Sequence, residues 1–329
     1  MAEITYLQAI HDALREEMLR DESVFCLGED IATLGGAFKV TAGLLDEFGP
    51  LRVIDTPIAE SLIVGASVGA ALQGMRPVAE MQFMDFISCG FDQLVNMTAT
   101  LRYRHGGQEG ARVPIVVRGP SGSGVTGALF HSQNPEAWFY RVPGLKIVCP
   151  ATVYDAKGLL KAAIRDDDPV LYFEHKRFYR SLKEELPEAD VVVPIGKAAL
   201  RREGRDLTMI TYGGTVHQCV EAAQRLEAED GVLAEVLDLR TVYPMDMDAV
   251  LASVRKCGKV MVVHEDRLRG GIGGEIVARI AEHAFDALDG PIVRVGMLDT
   301  HNAFATPMEQ FILPNTERIL ARARELAAY

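Results

Sequence analysis

At 329 residues the chain exceeds what one hydrophobic core usually supports, so two α/β domains are expected. Its composition, 48% hydrophobic and 24% charged, has neither the polarity of a disordered chain nor the long apolar run of a membrane helix. With 34 basic against 46 acidic residues and no local Lys/Arg stripe, a formal net charge of −12 repels polyanions and argues against nucleic acid as a partner.

Met1 to Thr5 show no basic region followed by an apolar core, so a cytoplasmic location without a membrane segment is expected. Helical spacing starts at once, with Leu7, Ile10, Leu14 and Met18 on one face. Apolar runs that read as buried parallel strands then follow at Val24 to Leu27, Val78 to Phe83, Pro114 to Val117, Leu145 to Val148 and Val170 to Phe173. Between them, stretches near 60–73, 86–104, 134–141 and 153–166 carry helical periodicity, the pattern of a doubly wound, mainly parallel sheet.

The charged, proline-interrupted stretch Lys183-Glu184-Glu185-Leu186-Pro187-Glu188-Ala189-Asp190 reads as a linker, dividing the chain into domains 1–185 and 186–329. Beyond it a second, smaller α/β series has strands at Leu207 to Tyr212, Val232 to Leu237, Val260 to Val263 and Ile292 to Val295. Its helices fall near 215–229, 246–255 and 274–286, with no internal repeat. Cys26, Cys89, Cys149, Cys219 and Cys257 are scattered and never in a Cys-x-x-Cys pair, so buried free thiols are expected.

Gly122-Ser123-Gly124-Val125-Thr126-Gly127 fits the dinucleotide fingerprint only in letters. The strand ends near Val117, and apolar Ile147 lies where a ribose-binding acid should be, so a flexible glycine loop is the better reading. Gly65-Ala66-Ser67-Val68-Gly69 matches the lipase-type elbow but lies inside a helical stretch, where helix packing explains it.

Two further residues stand out by position. Thr56 and Pro57 would cap and open a helix, placing Glu60 about one turn in, where the helix dipole favours a carboxylate. His131 follows a glycine-rich run from Arg118 to Phe130 and shortly precedes a helix opening at Asn134-Pro135-Glu136, where it could move protons near neutral pH. On spacing alone the commoner readings, a helix-stabilising acid and a loop histidine, stay open.

Several segments together resemble the beta subunits of thiamine-diphosphate-dependent 2-oxoacid dehydrogenases of the pyruvate and branched-chain type. They are Gly28-Glu29-Asp30, Asp55-Thr56-Pro57-Ile58-Ala59-Glu60, Glu80-Met81-Gln82-Phe83-Met84-Asp85-Phe86, Phe91-Asp92-Gln93, His131-Ser132-Gln133, Asp155-Ala156-Lys157-Gly158-Leu159 and Asp238-Leu239-Arg240-Thr241. The resemblance runs along nearly the whole chain. It implies a pyrimidine-binding α/β domain followed by a transketolase C-terminal-like domain, and oxidative decarboxylation of a small 2-oxoacid with acyl transfer to a lipoyl group.

By the same resemblance Glu60 would hydrogen-bond the ring nitrogen of the cofactor's aminopyrimidine, with Phe86 and Glu29 also on the cofactor side. His131 would assist proton movement during acyl transfer. No Gly-Asp-Gly occurs in the chain, so the magnesium and diphosphate half of the site would belong to an alpha subunit in a two-alpha, two-beta assembly, with a lipoyl-bearing acyltransferase as a further partner. Main-chain carbonyls near Ile115, Ala163, Ile164, Asp166 and Asp168 match positions that hold potassium in the family. Asp299-Thr300-His301-Asn302-Ala303-Phe304 departs from the family's pattern near the C-terminus. An acetoin dehydrogenase beta subunit, which shares these motifs, and a non-catalytic assembly subunit of the same fold are the alternatives.

Overall fold

The computed structural model describes residues 3–107 and 111–329. The chain forms two compact units, Met1–Ser121 with Trp138–Ile195 and Gly122–Ala137 with Gly196–Tyr329.

In the first unit the parallel strands are β1 (Val24–Gly28), β2 (Val53–Asp55), β3 (Arg76–Glu80), β4 (Val116–Ser121), β5 (Lys146–Val148) and β6 (Val170–His175). They lie in the order β5-β6-β4-β3-β1-β2. Four of them, β1, β3, β4 and β6, are buried along all or nearly all of their length, which is why they read as apolar runs.

Helix α1 (Tyr6–Arg20) starts with a capping box, in which Thr5 accepts from the Gln8 amide and the Gln8 side chain returns to the Thr5 amide. Its inward stripe, Tyr6, Ile10, Leu14 and Met18, joins one core with Val153, Leu159, Leu160 and Ile164. Those residues belong to a helix over Val153–Arg165. Between the sheet strands β2 and β3 runs a third helix, Glu60–Leu72.

Three expectations need correction. Thr56 and Pro57 do not open that helix, which begins at Glu60 itself with Ala59 before it. The Thr56 amide instead donates to the Gly28 carbonyl, continuing the sheet's pairing past β2, so the turn forms three residues later than the cap signal suggests. The periodic stretch 86–104 is not one helix but a 3₁₀ segment at Met84–Gly90, a π turn at Gln93–Thr98 and a short α-helix at Ala99–Arg104. Cys89 is exposed, while the other four cysteines are buried and all five are free.

The stretch read as a linker is bound into the first unit. Lys183–Glu185 pairs antiparallel with Glu3–Thr5, Asp190 takes ion pairs from Lys161 and Arg165, and the Val193 amide donates to the Gly158 carbonyl. The compact unit ends at Ile195.

In the second unit the strands are β7 (Ala199–Arg202), β8 (Leu207–Thr211), β9 (Ala234–Asp238), β10 (Val260–Arg267) and β11 (Val293–Met297), in the order β11-β10-β8-β9-β7. All pairs are parallel except β9 with the edge strand β7. Helices Val216–Asp230 and Thr316–Ala327 share a core with one face of this sheet through Cys219, Leu226, Ile319 and Leu326. On the opposite face the hydroxyl of Ser253, from helix Met247–Cys257, bonds the Thr208 hydroxyl at 2.6 Å and donates to Glu235 at 2.6 Å. Each unit is thus a mainly parallel α/β layer structure. Among the described residues no helix is long and apolar enough to cross a membrane.

Candidate active site residues

In the first unit the segments that carry Glu29, Glu60 and Phe86 converge at the carboxyl ends of the strands, where open α/β sheets place their ligands. The register aligns Gly28 with Asp55 on one side and Glu80 on the other, and Glu80 with Arg118. Close strand ends require the glycine, since a methyl group at Gly28 would lie 2.9 Å from the Glu80 carbonyl oxygen. Asp55 turns back over the β1 exit and accepts from the Ala32 amide at 2.7 Å, the Thr33 amide at 3.1 Å and the Thr33 hydroxyl at 2.7 Å. Burial opposes its charge, but these hydrogen bonds hold its carboxyl below the usual range.

Glu60 is the first residue of its helix and half-buried. The segment bearing Phe86 packs on this turn: Ser61 donates to the Cys89 carbonyl, and a methyl at Gly90 would lie 3.1 Å from Val64 and 3.4 Å from the Glu60 carbonyl. Of the two glycines in the middle of this helix, Gly65 meets the Gln93 side chain, whose Oε1 would lie 3.3 Å from an added methyl, while Gly69 faces open space. Ser67 is a core serine, fully buried and bonded to the Ile63 carbonyl at 2.8 Å. Partial burial raises the Glu29 carboxyl, and the nearby charges of Asp30 and Glu60 raise it further, against a hydrogen bond from Gln82. Glu29 and Glu60 thus form one acidic mouth that calls for a hydrogen-bond donor.

Beneath it lies a buried charge cluster that the sequence did not disclose. The Arg118 guanidinium, 1% exposed, spans Glu80 and Glu174, donating to the second Glu174 oxygen at 2.6 Å, and the Tyr179 hydroxyl also donates to Glu174. Burial pushes the Glu80 carboxyl up and Arg118 pulls it back.

His131 falls in the second unit, half-buried at the end of a short helix, Ala128–His131. Its loop turns through left-handed backbone at Gly122, Gly124, Thr126 and Ala128. Glu265 accepts from the Ser123 amide at 2.6 Å and from the Asn134 side chain at 3.0 Å. Glu309 accepts from the Gly124 and Thr126 amides at 3.2 Å. Asn302 donates to the Ser123 hydroxyl and the Ser132 carbonyl, both at 2.8 Å. Asn134 spends its side-chain amide on Glu265, and the next helix starts at Glu136.

Behind the loop, Tyr212 donates to Glu136 at 3.0 Å and stacks on His264. Burial, then the charge of Asp266, pushes the Glu136 carboxyl up to about 8, and burial raises Asp266 to about 6. His264 is held at about 4, again by burial first, and stays a neutral core ring.

Of the carbonyls at Ile115, Ala163, Ile164, Asp166 and Asp168, the first four have partners within the chain. Ile164 and Asp166 accept from Arg76 at 3.0 and 2.8 Å, Ala163 from the Asp166 amide and Ile115 from the Val170 amide. Lys146 pairs with the side chains of Asp166 and Asp168. Positive charge at the Ile164 and Asp166 carbonyls is thus supplied by Arg76.

Known proteins are similar to this chain along its whole length. Residues 2–181 match the family described as transketolase, pyrimidine binding domain, and residues 196–319 match transketolase, C-terminal domain. The chain is 52% identical to the 2-oxoisovalerate dehydrogenase subunit beta of Bacillus subtilis (strain 168), over 100% of both chains. It is 46% identical to the pyruvate dehydrogenase E1 component subunit beta of Staphylococcus aureus (strain COL), over 99% of both. A solved structure titled split gene transketolase, inactive beta4 tetramer, shares the fold with a TM-score of 0.80 at 22% identity, covering 99% of this chain and 98% of that one. The chain therefore belongs to the transketolase-type family of 2-oxoacid dehydrogenase beta subunits, built from a pyrimidine-binding domain and a C-terminal domain.

Proposed function

We propose that this chain is the beta subunit of a thiamine-diphosphate-dependent 2-oxoacid dehydrogenase that decarboxylates a branched-chain 2-oxoacid or pyruvate and passes the acyl group to a lipoyl carrier. The observation that carries the reading is the position of Glu60, at the first turn of a helix on the carboxyl edge of a parallel sheet, with Glu29 close enough to feel its charge. The relative at 52% identity is named for 2-oxoisovalerate, which puts branched-chain acids first among the substrates to test.

Thiamine diphosphate, when bound, supplies an electron-accepting ring that makes loss of carbon dioxide from a 2-oxoacid feasible. The chain's own residues bind and orient it. Glu60 would hold the ring nitrogen of the aminopyrimidine through a charge-assisted hydrogen bond in a partly desolvated site. Phe86, half-buried in the segment that packs on the Glu60 turn, would give that ring an apolar neighbour, and Glu29 would keep the mouth acidic. His131 moves a proton at the lipoyl sulfur as the acyl group arrives.

An alpha subunit supplies the magnesium and diphosphate half, consistent with the absence of any Gly-Asp-Gly in the sequence and with relatives named as beta subunits. The assembly is two-alpha, two-beta, in the cytoplasm, with the acyltransferase as acceptor. A potassium ion at the Ile164 and Asp166 carbonyls would share oxygens with Arg76, and no step depends on it.

The test is reconstitution with an alpha chain and an artificial electron acceptor, offering 2-oxoisovalerate, pyruvate and acetoin in parallel. Glu60→Gln lowers turnover on the preferred acid by about 100-fold or more. Full cofactor-dependent turnover in that variant ends the reading, and turnover of acetoin alone moves the chain to the acetoin dehydrogenases.

A further inference from the structure

We infer that Glu309 is a positioning residue for His131, its buried carboxylate seated in the amides of the glycine loop so that the loop delivers the His131 turn. The inference rests on the reading of His131 as the residue that moves a proton in acyl transfer.

Gly122-Ser123-Gly124-Val125-Thr126-Gly127 looks like a phosphate-binding loop in sequence, and its amides do converge on anions. The anions are the protein's own. Gly124 and Thr126 point their amides at Glu309, and Ser123 points its amide at Glu265. Such a run of inward-facing amides is an anion-binding concavity, filled here by side chains from 142 to 185 residues downstream.

Three further observations show that the contact is built. Glu309 is 2% exposed on a helix, Thr306–Ile312, whose other residues except Ile312 are exposed, so this carboxylate is the polar group the helix turns inward. Among the described residues no lysine or arginine pairs with it, so the loop amides are its compensation, and losing them would strand a buried charge. Thr126 and Ala128 both adopt a φ of 56°, a strained geometry for residues with side chains, which persists only where surroundings enforce it. The Glu309 contact falls on Thr126 itself, two residues before Ala128 and five before His131. Asn302, in the segment that departs from the family's pattern, fixes the loop's two ends to each other through Ser123 and Ser132.

The experiment uses the chain reconstituted with its alpha subunit and reads two quantities. One is amide hydrogen exchange in peptides covering 122–133. The other is the ratio of acyl transfer to a lipoyl-bearing domain over decarboxylation with an artificial acceptor. In Glu309→Ala, exchange in the loop accelerates about tenfold and the ratio falls about tenfold, in kcat for acyl transfer more than in KM for the lipoyl domain. Glu309→Gln, which keeps an acceptor oxygen, recovers part of both. Should the alanine variant fail to fold, Glu309→Gln carries the test by itself, with smaller changes of the same sign in both quantities relative to the parent chain.

Unchanged loop exchange overturns the inference. So does faster exchange with an unchanged ratio, provided that His131→Ala lowers that ratio. If His131→Ala leaves the ratio unchanged, the reading of His131 itself has failed and the positioning role goes with it. The His131→Ala control tells the two failures apart.

Discussion

Glu136 shows how burial, helped by a neighbouring carboxylate, can set a titration that the sequence hides. Its carboxyl, 3% exposed and close to Asp266, keeps its proton up to about pH 8, against an ordinary value of 4.5. Below 4.5 folded and unfolded chains both hold that proton. Between 4.5 and about 8 the unfolded chain releases it while the folded chain retains it, so the fold loses stability as pH rises through this window. Each tenfold difference in proton affinity between the folded and unfolded chain is worth about 1.4 kcal/mol, which makes the full effect a few kcal/mol at most. Glu136→Gln keeps an acceptor for the Tyr212 hydroxyl and removes the titration. Its melting temperature relative to the parent chain should therefore climb between about pH 5 and about pH 8, and a pH-independent difference would remove Glu136 as the cause. Residues of this kind are not legible in the sequence. Glu60 and His131 stand out because long motifs flank them, whereas Glu265, Asn302 and Glu309 lie 131 to 185 residues from the loop atoms they hold, and nothing local marks them.

Strands were legible wherever both faces are buried, because such strands become continuous apolar runs, as at Val24–Gly28 and Val170–His175. The three residues of β2 were too short to register, and the edge strand Ala199–Arg202 hid behind two arginines. The helix Thr316–Ala327 buries only Ile319, Leu320, Ala323 and Leu326, an apolar stripe thinned by charged neighbours. What pattern reading misses altogether is polar bonding between elements. Arg118 on β4 ties Glu80 on β3 to Glu174 on β6, three adjacent strands joined at their carboxyl ends beneath the proposed cofactor site. Arg118→Met leaves two buried carboxylates facing each other without a cation and should cost about 3–5 kcal/mol. The triple variant Arg118→Met, Glu80→Gln, Glu174→Gln removes the stranded charge and should regain part of that loss in denaturant titrations of the reconstituted complex. A triple variant no more stable than the single one would show that the cluster acts by shape and not by charge.

At the scale of the molecule, the segments bearing the proposed cofactor and proton-transfer residues leave large apolar side chains in water. Ile58 and Leu62, on either side of Glu60, are 75% and 51% exposed, and Phe130, next to His131, is 60% exposed. Uncovered apolar groups clustered beside the proposed site residues fit a surface that the proposed alpha subunit closes. The missing Gly-Asp-Gly points the same way, since the chain carries an acidic mouth at the proposed aminopyrimidine site but no Gly-Asp-Gly sequence for a magnesium-bound diphosphate. A cofactor held at one end alone forfeits the contacts and the exclusion of water that the second wall provides, and each tenfold of affinity corresponds to about 1.4 kcal/mol of such contacts. Calorimetric titration of thiamine diphosphate with magnesium should therefore show binding to the isolated chain at least about 100-fold weaker than to the chain reconstituted with an alpha subunit. In the reconstituted complex Glu60→Gln should weaken binding again, while in the isolated chain, where little is bound, the same substitution should change little. Equal, tight binding with and without the alpha subunit would mean that this chain holds the whole cofactor by itself, and the shared-site reading would have to be abandoned.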